Sequence, residues 1–477
     1  MFARYGSALA LGLVTALCLP QGLALSKAVV IEGATLVDVV DGQPRRKLAT
    51  LVIEGDRIVQ SSLVKETAKS DQPRVLSASD HFVLPGLADM HVHVWDEAEL
   101  GAYLAHGVTT VRNMSGMPFH LDLARRIEEG SLVGPRLLTT GPILNSPGPN
   151  AQINHQMVKT AAEAREALAA QADTGYKRIK VYSNLQREPY EAILEEASKR
   201  GMLVTGHSPE GSRGPGIPFE EPFAIPFEDV LDDGFETIEH SESILWHGLT
   251  DRLDESAARE LARRIATAGV TVTPTLLAHH NLVRVAESDG AFARRPEAAT
   301  LNPIEQQTET QYIATWAARD AADHLDKDAF IGTLTRLMAE EGVPLVTGSD
   351  AGIFANPPGV SLIDELELLV RAGLTPAEVI AASTREVARL LGEDERSGCL
   401  DVGCAADLVI YSCDPTERIS CARRPLAVVR RGRLFDRAEL DAMLEQARHP
   451  DVERTLRNLT EGMAAQGTPI DPAALGL

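Results

Sequence analysis

Between Pro85 and Leu391, short apolar segments alternate with longer stretches of helical periodicity. The strand-like segments are FVLPGLADMHV, GVTTVRNM, PRLLTTGPIL, RIKVYS, MLVTGHS, ETIEHS, VTVTPTLL and VPLVTGSD. Helical text such as AAEAREALAAQAD, REPYEAILEEASKR and DESAARELARRIATAG separates most of them. Alternating β–α text builds a parallel sheet covered by helices. Eight units are the count of a (β/α)8 TIM barrel, whose functional groups sit at the C-terminal strand ends. A doubly wound open sheet would need neither eight strands nor polar residues at so many strand ends.

The flanks have another rhythm. Residues 27–84 read as short alternating strands and hairpins, with EGDR at a turn, and the pattern returns in GCLDVGCAADLVIYSCDP and LAVVRRGRLF. The expected architecture is therefore an α/β chain. A small β-sandwich domain is built from an N-terminal segment at 27–84 and a C-terminal segment at 397–435. The barrel lies between them at 85–396, and a helical tail follows at 436–477. A length of 477 residues at 44% hydrophobic suffices for more than one core. Two insertions, Pro209–Asp232 and Ala278–Glu341, leave from the end of the barrel where function is expected, as lids, pocket walls or plain surface loops.

Residues 1–24 read as a secretory signal peptide, with Arg4 near the start, an apolar run from Ala8 to Leu19 and small residues around Gly22 and Ala24. The mature chain is expected to be soluble and secreted or periplasmic, with no membrane partner. Its formal charge of −22 argues against nucleic acid, leaving a small-molecule substrate as the expected partner and a homo-oligomer open. Four cysteines remain after cleavage, Cys399, Cys404, Cys413 and Cys421, without a C-x-x-C pair. Two local disulfides or free buried thiols both fit, and the pairing stays open.

The strand ends carry the chemistry. The first ends DMHVHVW, with His91 and His93 on one face because they are two residues apart. The fourth carries Lys180 on the face opposite Ile179 and Val181, an ammonium where a packed side chain is expected. The fifth ends at His207, the sixth at His240 and the eighth at Asp350. Imidazoles and a carboxylate gathered this way suit a divalent transition metal, zinc first.

VLPGLADMHVH, GVTTVRNM, RIKVY, TGHS, IEHS and VTGSDAG together resemble the amidohydrolase superfamily, in its imidazolonepropionase-like branch that includes the Xaa-Pro dipeptidases. GCLDVGCAADLVIY resembles the entry into the small β domain of these enzymes, and GLTPAEVIAASTREVARLLG the helical segment that precedes it. The resemblance implies two divalent metal ions. His91, His93 and Asp350 would hold one, His207 and His240 the other, and Lys180 would bridge them as a carbamate formed with carbon dioxide. A hydroxide shared by the ions would attack an amide carbonyl, in a peptide or an N-acyl amino acid, with Asp350 as general base and then acid. A lactone or other ester is the neighbouring substrate class. HSPE, ending at Glu210, matches the one-metal deaminases of the superfamily, where the glutamate shuttles protons. For substrate contacts the candidates are Tyr182 and, in the loop NSPGPNAQINHQ, His155, with His279 or His280 as substitutes.

Overall fold

The computed structural model describes residues 28–63, 72–211 and 221–471; the signal sequence expected at 1–24 lies outside them. Five strands open the fold: β1 (Val29–Val40), β2 (Gln43–Glu54), β3 (Arg57–Ser62), β4 (Arg74–Ser77) and β5 (Phe82–Pro85). Asp41 and Gly42, both at positive φ, make the two-residue turn between β1 and β2, a turn whose twist suits antiparallel strands. Next come β6 (Leu87–Val92), β7 (Val108–Asn113), β8 (Arg136–Thr139), β9 (Ile143–Asn145) and β10 (His155–Met157). They are followed by β11 (Arg178–Val181), β12 (Leu203–Gly206), β13 (Thr237–Glu239) and β14 (Val272–Thr273). The chain returns to the first layer with β15 (Leu408–Tyr411), β16 (Ala427–Arg430) and β17 (Arg433–Asp436).

The N- and C-terminal segments join where β15 pairs antiparallel with β5. Their strands are hydrogen-bonded in the order β17-β16-β15-β5-β1-β2-β3, with β4 also on β1. An irregularity in β1 between Ile31 and Ala34 separates the half that pairs with β4 from the half that pairs with β5. One face of this sheet buries its own core, including Ile31, Leu51, Ile53, Leu408 and Val429.

Parallel strands β6 to β14 form a barrel-like α/β arrangement in two arcs, β6-β7-β8 and β10-β9-β11-β12-β13-β14. Ile179 and Val181 of β11 pack into the same core as Leu168 and Ile193 of the neighbouring helices. Backbone hydrogen bonds link the arcs on both sides. Gly141 N donates to Arg178 O at 2.8 Å on one side, and Val346 N to Val272 O (3.0 Å) and Met90 N to Thr347 O (2.8 Å) on the other. The segment VPLVTGSD, expected as the eighth strand, runs between β14 and β6 but makes only isolated bridges, Val272–Leu345 and Val92–Ala351. It passes very close to both neighbours at Gly348, where a Cβ would lie 2.5 Å from Thr273 Cγ2 and 2.8 Å from His91 Cβ.

The long insertion is helical, as its pattern predicts, over Leu276–Glu287, Pro303–Ala317 and Ala322–Glu340. The tail forms helices Arg437–Ala447 and Val452–Ala465. Arg454 of the last helix grips Asp96 at 2.7 Å and Glu97 at 2.9 Å, just beyond the end of β6. The cysteine pairing left open by sequence is Cys399–Cys404 and Cys413–Cys421, so these are not free thiols. Among the described residues, no helix is long and apolar enough to cross a membrane.

Candidate metal centre

The six residues marked at strand ends come together. His91 and His93 lie at the end of β6, with Nε2 of each facing one oxygen of Asp350, at 3.3 and 3.1 Å from Oδ1. The ligand atoms of His91, His93 and Asp350 all fall within 4.8 Å of one another, and all three residues are buried. Lys180 Nζ, on β11, lies 3.3 Å from His91 Nε2. The His240 ring is 4.6 Å from that of His91 and 4.4 Å from that of His207. Asp350 and His240 both take positive φ, which turns their side chains at the points where the chain leaves the sheet.

The rings are oriented from behind. Nδ1 of His91 meets Glu239 Oε2 at 2.7 Å, Nδ1 of His93 meets Ser115 Oγ at 2.8 Å, and Nδ1 of His240 meets Thr275 Oγ1 at 2.6 Å. Committing one ring nitrogen to a fixed partner leaves the other to face the centre, the arrangement usual for metal-ligating histidines. His207 Nδ1 is buried without a hydrogen-bond partner. Burial, the leading cause, lowers the imidazoles of His91, His207 and His240 below the ordinary histidine range, so each offers a lone pair.

Lys180 is 1% exposed. Burial brings its ammonium down to about 8, with Arg112 adding to the shift while Glu239 and Asp350 oppose it. Neutral imidazoles, a buried carboxylate, an orphaned ring nitrogen and an amine that loses its proton readily form a donor set that fits divalent metal.

The remaining candidates divide. Tyr182 stacks on His207 with centroids 3.9 Å apart, and His155 stacks on Tyr182 at 4.5 Å. His155 is buried, takes Asn145 Nδ2 at 3.1 Å on Nδ1, and keeps Nε2 without a partner. Burial pushes its imidazole down to about 3. Glu210 accepts the Trp246 indole N–H at 2.9 Å. His279 and His280 both turn to Asp328, at 3.2 and 2.8 Å.

A charged layer, outside the residues marked by strand ends, lies beneath the site. Arg112 of β7 and Glu239 of β13 are both fully buried and paired at 2.8 Å. Their signal was present as a charged residue inside each of two apolar segments, GVTTVRNM and ETIEHS.

A sequence profile described as the amidohydrolase family matches residues 82–435. An imidazolonepropionase from Cupriavidus metallidurans is 32% identical over 167 residues, covering 31% of this chain and 38% of that protein. One from Aeromonas hydrophila is 35% identical over 88 residues, 17% of this chain and 20% of the relative. The chain thus spans only about a fifth to two fifths of these curated relatives. Among solved structures, bottromycin amidohydrolase superposes with TM-score 0.67 at 26% identity, over 89% of this chain and 91% of that one. A Xaa-Pro dipeptidase with methionine in its active site gives TM-score 0.64 at 21% identity, over 86% of this chain and all of the other, a likeness of fold.

Proposed function

The chain belongs to the amidohydrolase family, and from that premise we propose that it hydrolyses the carbon–nitrogen bond of an amide, in a peptide or an N-acyl amino acid. The observation that carries this reading is the convergence of His91, His93, Lys180, His207, His240 and Asp350 on one buried point. His91, His93 and Asp350 would hold one divalent ion, zinc first, and His207 and His240 would hold a second. Lys180, as a carbamate, would supply anionic oxygen ligands to both. Its neutral amine attacks carbon dioxide, an N–C bond forms, and one proton leaves to solvent.

Bound there, such ions supply a water-derived nucleophile at neutral pH and polarise the scissile carbonyl. The chain does the rest. Asp350 takes a proton from the attacking water and returns it to the departing nitrogen. Glu239, Ser115 and Thr275 keep the imidazoles aimed. Tyr182 and His155 line the approach, the Tyr182 hydroxyl and the unpartnered His155 Nε2 offering polar contacts to the substrate.

On this proposal β6 to β14 and the VPLVTGSD segment make an eight-unit barrel, closed by backbone hydrogen bonds on both sides of that segment. It keeps the division into 27–84, 85–396, 397–435 and 436–477. Two disulfides support export to an oxidising compartment.

The test is a screen of zinc-loaded protein against dipeptides, N-acyl amino acids and lactones. Hydrolysis of an amide, lost in Lys180→Ala, is the expected result. Activity confined to lactones, or amide hydrolysis untouched by Lys180→Ala, would overturn the proposal.

A further inference from the structure

Glu239 ends β13 one residue before His240, with a side chain wholly buried. Its described hydrogen-bonding neighbours can all donate. Oε2 lies 2.7 Å from His91 Nδ1. Oε1 receives Arg112 Nη2 at 2.8 Å and the Thr237 hydroxyl, and stands 2.9 Å from the Thr205 hydroxyl. Arg112 is itself fixed by Met90 O (2.8 Å), Glu236 Oε2 (3.1 Å) and Thr237 Oγ1 (2.8 Å). An ionised carboxylate can only accept, so His91 must place its proton on Nδ1. The lone pair then sits on Nε2, the nitrogen 3.3 Å from Asp350 Oδ1 and from Lys180 Nζ.

We propose that Glu239 is a positioning residue that sets the His91 tautomer and aims Nε2 at the site, with Arg112 and the two threonines holding its far oxygen. The purpose of this device rests on the metal reading above; the hydrogen-bond geometry does not.

Glu239→Gln tests it because an amide has one acceptor end. Arg112, Thr205 and Thr237 claim that end at the Oε1 position, so the amide NH2 faces His91 Nδ1. His91 must then accept at Nδ1 and carry its proton on Nε2, and the lone pair facing the site is gone.

The experiment uses chelator-stripped, 15N-histidine-labelled protein. Long-range proton–nitrogen correlation spectra distinguish the two tautomers, and His91→Asn assigns the signal. The expected result is an Nδ1–H tautomer in the unaltered protein and an Nε2–H tautomer in Glu239→Gln. Zinc affinity, read by chelator competition, is expected to fall about 10- to 100-fold in the variant. An Nε2–H signal for His91 in the unaltered protein overturns the proposal, whether or not the variant folds. So does a variant that keeps both tautomer and affinity. Protein that shows the Nδ1–H tautomer yet binds no metal would uphold the hold of Glu239 on His91 and sink the metal reading alone.

Discussion

Arg112→Met is the sharpest test of how the floor of the site is stabilised. The guanidinium is fully buried and makes four contacts, to Met90 O, Glu236, Thr237 and Glu239. Methionine fills much of the same volume, so the loss is mainly electrostatic. Removing one partner of a buried ion pair costs about 3–5 kcal/mol, because the other charge stays behind unpaired. Glu239 is that charge here. Glu236 keeps Arg178, whose guanidinium reaches it at 2.7 to 3.0 Å. The Met90 carbonyl, in a fully buried residue, adds about 1 kcal/mol at the low end for an acceptor left unmade. The total is about 4–6 kcal/mol, measured by urea unfolding of chelator-treated protein, followed by tryptophan fluorescence. Arg178→Met is the control. Its side chain is 14% exposed and Glu236 retains Arg112, so it should cost clearly less. Arg112→Met within about 1 kcal/mol of the unaltered protein, or Arg178→Met costing as much, would refute the reasoning.

Alkylation under denaturing, non-reducing conditions should find Cys399, Cys404, Cys413 and Cys421 all blocked, and Cys421→Ser should cost about 2–3 kcal/mol by loop closure. Burial first, then Asp96, pushes Glu99 up to about 8 from an ordinary 4.5, against hydrogen bonds from Trp95 and Asn302. The folded chain thus keeps a proton that the unfolded chain releases. This contribution is complete below pH 4.5 and is lost as pH rises to about 8. Glu99→Gln should therefore flatten the decline of stability over that window by up to about 1.4 kcal/mol per pH unit, read from denaturant midpoints; unchanged slopes would contradict it. At Gly352, φ is +99° and a Cβ would lie 1.9 Å from the His93 carbonyl oxygen. Gly352→Ala should shift the Asp350 loop and reduce kcat/KM about tenfold to a hundredfold, whereas full activity would mean the loop moves freely.

Much of the site was legible because parallel β–α text puts strand ends together, so polar residues there needed no contact information to be grouped. Lys180 by itself read equally as a snorkelling or exposed lysine, and only its grouping with the other strand-end residues marked it, with Ile179 and Val181 facing the helices. Arg112 and Glu239 were not legible, because a single charge in an apolar segment reads equally as an exposed strand end. Only the fold shows that β7 and β13 aim these two side chains at each other. The cysteine pairing was equally hidden, since spacing allowed several closures and only the fold shows which pairs meet. The irregular eighth segment follows from the close passage of Gly348 between Thr273 and His91, a tertiary effect that no local preference encodes. The split of β1 between β4 and β5 is likewise visible only in the fold.

The central claim is a two-ion site bridged by a modified Lys180. Metal content per chain, measured together with the intact mass of Lys180 peptides under 13C-labelled bicarbonate trapping, tests it most directly. Two ions per chain, a trapped carbamate on Lys180, and loss of both the carbamate and some of the metal in Lys180→Ala are expected. One ion per chain, with Lys180→Ala retaining it and Glu210→Gln abolishing activity, would contradict the account and favour a one-metal deaminase.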